Sequence, residues 1–210
     1  MDWTRCTDWT TWTAWTGCSC ADLDELRRAL IAYVPALSFL SLGTYLLEPD
    51  VPLLQLTTGG VFMFMWAYWT HRLWHTFPYT GVFYYLNPHL SIHHAEQKQV
   101  PRWLDIVIEA LQNLFWFVPL YILQESTQIH IVPTSIICFA ALIYASIHLV
   151  NYTFFTFDKH VAQHKDATVN FGPDILDHIF GTNSDPSFEP MHHFIPNAIV
   201  SYLLIRYIDG

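Results

Sequence analysis

Four long apolar runs are the feature that most limits how this chain can fold. They cover residues 29–47, 51–70, 106–123 and 131–150. A helix over each run would be about 27 to 30 Å long, which matches the hydrocarbon thickness of a bilayer. Hydrophobic residues make up 52% of the chain and charged residues only 13%, unlike an ordinary soluble domain. The sequence therefore predicts an all-α fold, an integral membrane four-helix domain within residues 21–210.

The two ends of the chain fall outside these spans. Residues 1–20 repeat Trp-Thr and lack the basic start and apolar core of a secretory signal, so we predict a disordered N-terminal tail. The apolar stretch from Ala198 to Ile208 is too short to cross a bilayer. We expect it to lie in the membrane interface or against the helix bundle.

The distribution of basic residues predicts how the spans are oriented. The loops 48–50 and 124–130 contain no Lys or Arg, whereas the other ends of the spans are flanked by Arg27, Arg28, Arg72, Lys98, Arg102, Lys159 and Lys165. Because positive charge is retained in the cytoplasm, both loops should face away from it. Both chain ends should then be cytoplasmic.

Eleven of the twelve histidines fall into two segments on the predicted cytoplasmic side. His71 and His75, in HRLWH, are one helical turn apart and share a helix face, a spacing that suits one metal ion. His93 and His94 are adjacent and would point about 100° apart on a helix, which suits two neighbouring ions. The sequence therefore predicts a cytosolic histidine-rich metal-binding cap. His130 lies apart, in a hairpin on the other side, and is not expected to bind metal.

Composition and charge placement argue against two other function classes. The net charge is -9 and no Lys/Arg patch is present, so a nucleic-acid partner is not expected. A cation transporter would place polar ligands near the bilayer midplane, and these runs have none there. Imidazole ligands suit iron, zinc and copper.

The order of motifs resembles one known family. HRLWH, HLSIHH, two spans, a histidine at a span end, HVAQH, and then NFG and LDHIFGT together look like the fatty acid hydroxylase/sterol desaturase superfamily, over about residues 60–182. Members carry three histidine boxes on the cytosolic face of a four-helix membrane domain. The resemblance implies metal ligation by His71, His75, His93, His94, His148, His160 and His164. It also implies supporting roles next to the metal ligands for Gln163, Asn170 and Asp177.

Two positions depart from the family pattern. The first histidine of the second box is replaced by Leu90, with His89 one residue away, and the penultimate position of the third box is Gln163. His89 can replace the missing ligand only where the backbone is irregular, because one residue turns a helical side chain by about 100°. His192 and His193 are further candidates for the missing ligand.

The resemblance implies an O2-dependent membrane lipid hydroxylase in the endoplasmic reticulum. It would use two iron ions, with zinc as a substitute in purified protein, and electrons from a b-type cytochrome and its reductase. The substrate would be a fatty acyl or sterol-type lipid. Lipid desaturation is the close alternative, and a catalytically inactive metal-binding relative is a third.

Overall fold

The computed structural model describes residues 20–76, 81–85, 87–94, 100–151, 157–189 and 191–209. Every regular element in these ranges is helical, which confirms the all-α prediction. The predicted disordered tail lies outside the described residues except for its last position.

The longer helices follow the apolar runs, and shorter ones connect them. In chain order the α-helices are α1 (Cys20–Leu47), α2 (Leu53–Thr76), α3 (Val82–Tyr85), α4 (Arg102–Phe115), α5 (Val118–Thr127), α6 (Thr134–Ser146), α7 (Asp158–Lys165), α8 (Asp174–Phe180) and α9 (Phe194–Asp209). Two wider π-helical turns cover His89–His93 and Ile147–Asn151, and a 3-10 turn covers Met191–His193.

Two helical stretches are long and apolar enough to cross a membrane. They are Arg102–Thr127, formed by α4 and α5, and Thr134–Asn151, formed by α6 and the π turn that continues it. The apolar part of α1, Tyr33–Leu47, is shorter. The final apolar stretch lies in α9, which packs against α1 and α6.

The predicted third span is divided into two helices at Trp116 and Phe117. Pro119 has no N–H, so it cannot continue the helical hydrogen bonding, and such residues bend or break helices. The carbonyl of Trp116 instead accepts a hydrogen bond of 3.0 Å from the Trp66 indole on α2. The break therefore fixes Trp116, which is 1% exposed, against the helix that carries the first histidines.

Helix α4 has its polar face turned inward. Its buried residues are Asp105, Glu109, Gln112 and Asn113. Apart from Arg102 at its first position, its exposed large side chains are apolar, and they are Trp103, Val107, Leu111 and Phe115. This distribution is the reverse of a soluble amphipathic helix, whose apolar stripe faces the core.

Close packing places the ends of α2 and α6 side by side. Helices α1 and α6 approach at Gly43, where a Cβ atom would stand 2.6 Å from the Phe139 ring. Met63 and Ala67 of α2 share a core cluster with residues of α4, α5 and α6, including Trp116. The histidines that follow these apolar segments in α2 and α6 are thereby brought to one end of the bundle.

Candidate metal centre

The last two turns of α2 and the π turn His89–His93 form the first histidine group. His71, His75 and His89 are each 2% exposed. Their Nε2 atoms converge, at 3.1 Å between His71 and His75, 3.1 Å between His71 and His89, and 2.8 Å between His75 and His89. Three imidazole nitrogens from two separate elements therefore share one small space.

The π turn is what directs His89 into this group. The His94 N–H donates to the His89 carbonyl at 2.9 Å, the i to i+5 bond that defines a π-helix. The Asn87 side chain donates to the Trp74 carbonyl at 2.8 Å and ties the start of the turn to the end of α2. The irregular backbone that His89 requires is thus present, and Leu90 is buried without joining the nitrogens.

The spacing of the three Nε2 atoms fits a single ion. Bonds of about 2.1 Å from one ion, at right angles, would hold the nitrogens about 3.0 Å apart. Hydrogen bonds among the three Nε2 atoms cannot satisfy all of them. Each neutral nitrogen is either a donor or an acceptor, and donors and acceptors cannot alternate around three positions. A cation accepts all three lone pairs together. The donor set of His71, His75 and His89 therefore fits a metal ion.

A second histidine group adjoins the first. Helix α7 places His160 and His164 one turn apart, with Nε2 atoms separated by 3.1 Å. The His93 ring lies 4.7 Å from the His164 ring, and these three could hold an ion. His94 stands between the groups, with ring centroids 4.3 Å from His164 and 4.7 Å from His75. Both groups thus belong to one continuous assembly, which is buried at His71, His75 and His89 and exposed at His164.

His148 completes the assembly from α6. It lies in the π turn Ile147–Asn151 and is 6% exposed. Its Nδ1–H donates to the Tyr144 carbonyl at 3.0 Å, which leaves Nε2 as the metal-binding nitrogen. Its ring centroid is 6.0 Å from both His71 and His160. The structure therefore brings together all seven histidines predicted as ligands, with His89 as an eighth.

Burial keeps these imidazoles in the neutral form that binds metal. Burial, reinforced by the neighbouring His164, lowers the pKa of His75 from 6.5 to about 4. Burial likewise holds the pKa of His89, His93 and His160 well below the usual value. Because a protonated imidazole cannot ligate, these shifts favour metal binding at neutral pH.

The same shifts predict that the metal-free protein loses stability in mild acid. The folded pKa of His75 is lower than its unfolded value of 6.5, so the unfolded chain binds more protons between pH 6.5 and 4. Each such histidine should reduce the free energy of unfolding by up to about 1.4 kcal/mol per pH unit over this range. Thermal unfolding in detergent with a chelator, at pH 7.5, 6 and 5, should show a falling midpoint. A midpoint that stays constant down to pH 5 would contradict this expectation.

Gln163 lies at the edge of the first group. Its side chain is 1% exposed, and its amide end is 3.1 Å from His71 Nε2 and 3.5 Å from His75 Nε2. With the NH2 facing the histidines it donates to their lone pairs, and with the amide reversed its carbonyl oxygen faces the same space. Either orientation puts a polar group in contact with His71 and His75.

Asp177 and Asn170 support the site through the backbone of the loop between them. The Asp177 carboxylate accepts hydrogen bonds from Phe171 N at 2.8 Å, Gly172 N at 2.7 Å and the Thr182 hydroxyl at 2.7 Å. The Phe171 carbonyl in turn accepts from His71 Nδ1–H at 2.5 Å. Asp177 thus orients His71 through the Phe171 carbonyl without touching the imidazole. Asn170, at φ 55°, donates to the Lys159 carbonyl at 2.8 Å and fixes the loop to α7.

Two residues of the site carry no signal in the histidine motifs. The Tyr144 hydroxyl lies 3.0 Å from His71 Nδ1. The Glu109 carboxylate lies 3.6 Å from His93 Nδ1. Glu109 interrupts an apolar run together with Asp105 and Asn113, four residues before and after it, and this shared face was the signal that it points inward.

The remaining histidines lie elsewhere. Among the described residues, none of His130, His178, His192 and His193 belongs to a metal-binding group. His193 lies 3.7 Å from Glu189 and 4.8 Å from the Phe157 ring, so His89 rather than His192 or His193 stands beside the first box. His178 stacks on Phe188, and His130 lies in the hairpin near Glu125.

An apolar cavity leads to the histidines. The cavity is partly open to the outside. Its apolar lining comes from α1, α2 and α6, and includes Leu40, Met63, Phe64, Phe139 and Ile143. His71, His148 and His160 line the same cavity. A molecule with an apolar chain could therefore reach the proposed metal ligands.

A scan against protein-family models, a search of curated proteins and a search of solved structures each found no match. What the histidine groups can do therefore has to be inferred from their own geometry. The histidine clusters could hold metal ions, and three of their histidines line an apolar cavity.

Proposed function

We propose that this chain is an O2-dependent membrane lipid hydroxylase with two histidine-bound iron ions, a member of the fatty acid hydroxylase/sterol desaturase superfamily. The observation that carries the proposal is the closed Nε2 triangle of His71, His75 and His89 at the end of an apolar cavity. The adjoining group of His93, His160 and His164 supplies ligands for a second ion.

A redox metal is needed because no amino-acid side chain can oxidise an unactivated C–H bond. Bound iron would supply the activation of O2, and the chain's own residues would hold the reactants around it. Phe171 and Tyr144 fix the nitrogen that His71 offers, since both contact its Nδ1 atom. The apolar lining from Met63 to Ile143 would hold the substrate chain and exclude water.

Membrane placement is supported by the reversed polarity of α4. Apart from Arg102 at its first position, its exposed large side chains are apolar and its polar side chains are buried, as expected for a helix with lipid outside and a polar site inside. We propose four spans near the predicted apolar runs, with the histidines on the cytoplasmic side because both hairpin loops lack Lys and Arg. In a eukaryote the membrane would be that of the endoplasmic reticulum.

The proposed reaction inserts one oxygen atom of O2 into a C–H bond. The other oxygen atom leaves as water, which requires two electrons and two protons from an external donor. We propose a b-type cytochrome with its reductase as the donor. This is the donor class that the resemblance to the superfamily implies. The substrate would be a fatty acyl or sterol-type lipid.

Isotope labelling tests this proposal. Cells that express the intact chain under 18O2 should contain a lipid heavier by one 18O atom, measured by mass spectrometry. The double variant His75→Ala, His164→Ala removes one ligand from each group and should abolish the product. His130→Ala, in the exposed hairpin, should leave it unchanged.

Two other outcomes would redirect the assignment. A product lighter by two hydrogens, with no 18O, would indicate a desaturase. No lipid difference, with iron loaded and reductant supplied, would contradict an enzyme and leave a metal-binding relative without activity.

A further inference from the structure

The cavity that reaches the histidines has two chemically different ends. Helices α2 and α6 carry its apolar lining from Gly60 and Phe139 toward His71 and His148. Next to the histidines, the lining also contains the ionisable residues Lys159, Asp174, Asp177 and Glu189. A ligand that fills this cavity would therefore have one polar end and one apolar end.

The charged end is not suited to an anion. Lys159 Nζ donates to Asp174 Oδ1 at 2.5 Å, and both residues are buried, so this positive charge is already paired. Two further carboxyl groups, of Asp177 and Glu189, share the same end. A carboxylate head group would be buried there beside other carboxyl groups, with the Lys159 ammonium already paired to Asp174, which is costly.

Glu189 supplies a hydrogen-bond acceptor at this end. Its Oε1 atom is buried and accepts no hydrogen bond from the part of the chain that the structure describes. Its backbone N–H donates to Asp174 Oδ2 at 2.8 Å, which fixes its position. An uncharged hydroxyl or amide head group can donate to Oε1 and so satisfy it.

Gly60 lies at the apolar end. A Cβ atom added at Gly60 would have no protein atom within 4 Å, although Gly60 lines the cavity. Gly59 differs, because its Cβ would contact Val132 at 3.6 Å. Eleven residues of α2 separate Gly60 from His71, or about 16 Å along the helix. A side chain at position 60 would therefore occupy space at a fixed depth below the histidines.

We propose that the cavity binds a long-chain lipid whose uncharged hydroxyl or amide head group bonds to Glu189 and whose chain passes the histidines toward Gly60, which limits its length. The identification of this lipid as a substrate rests on the proposed lipid oxidation, but its binding does not require bound metal. Binding and turnover can therefore be tested separately.

Competition binding on the full chain in detergent, with a chelator present, tests the apolar end. Primary alcohols of graded length, from dodecanol to octadecanol, would displace a fluorescent fatty alcohol. In Gly60→Leu, binding of octadecanol should weaken about tenfold relative to the unsubstituted chain because its last carbons lose their space. Dodecanol should bind within about twofold of its original affinity.

The control is Val61→Leu, which adds bulk to the neighbouring, outward-facing position of the same helix, where the side chain is 61% exposed. It should change neither affinity. Equal weakening of all chain lengths by Gly60→Leu, or no weakening at all, would overturn the proposed position of the chain. A positive 18O2 result with either outcome would leave the oxidation intact and reject only this inference.

The polar end is tested at Glu189. Glu189→Gln retains an acceptor oxygen and should leave octadecanol affinity within about threefold, whereas Glu189→Leu should weaken it about tenfold through the lost hydrogen bond. The unsubstituted chain should bind octadecanol at least tenfold more tightly than octadecanoic acid at neutral pH. Equal or tighter binding of the acid, or of cholesterol over every linear alcohol, would overturn the proposed ligand class.

Discussion

Replacing His89 with alanine is expected to remove about one metal ion per chain from protein purified with iron. His89 Nε2 is one corner of a triangle whose other corners are His71 and His75, so its loss leaves two ligands where three converged. Metal content by mass spectrometry, per chain of folded protein, provides the measurement. Leu90→Met keeps the local volume and His130→Ala removes a distant histidine, and neither should change the content.

Exchanging the residues at positions 89 and 90 tests whether the π turn determines which side chain binds the metal. The double variant His89→Leu, Leu90→His has an unchanged composition and restores the histidine to the usual second-box position. If the π turn directs the ligand, the exchanged histidine should point away from the triangle and the metal should not be recovered. Full recovery would mean that the turn does not determine ligation.

Asp177→Ala is expected to weaken both the fold and the metal centre. The carboxylate accepts three hydrogen bonds, from Phe171 N, Gly172 N and Thr182, and its removal leaves buried donors unsatisfied. The free energy of unfolding should fall by about 3 kcal/mol, which corresponds to about 6 to 12 °C in the unfolding midpoint for a chain of this size. Metal affinity should fall about 10- to 100-fold, because the Phe171 carbonyl would no longer orient His71.

The control for this variant is Asp185→Ala. Asp185 also accepts hydrogen bonds within a turn, from Ser187, but it lies on an exposed part of the chain and contacts none of the clustered histidines. Both metal affinity and unfolding midpoint should stay near their original values. A lower midpoint in Asp177→Ala with unchanged metal affinity would show that the loop stabilises the fold without positioning His71.

The helices and most of the histidine groups could be predicted because their signals are local. Apolar runs determine where long helices form, and a spacing of four residues puts His71 with His75, and His160 with His164, on one face. The sequence named His89 as a replacement ligand only on condition of an irregular backbone, and whether that condition is met could not be predicted. It depends on the π turn, and that turn is held by the Asn87 contact with the Trp74 carbonyl, thirteen residues away.

The side chains that contact or orient the clustered histidines were harder to predict, because their contacts depend on backbone groups and on helix packing. Asp177 acts through the backbone carbonyl of Phe171, and a backbone group has no sequence signature. The spacing of Glu109 with Asp105 and Asn113 indicates an inward face of α4, but the contact of Glu109 with His93 depends on how the helices pack. Tyr144 meets His71 for the same reason, since α2 and α6 pack side by side.

The reversed helix α4 also bears on protein engineering. A water-soluble version of this chain would need polar residues at Trp103, Val107, Leu111 and Phe115. These exposed positions are usually polar in a soluble protein. The inward positions Asp105 and Glu109 would have to be kept, although a design procedure for soluble cores would replace them first. The side chains that would have to change for solubility and those that lie toward the proposed metal centre therefore occupy opposite faces of the same fourteen-residue helix.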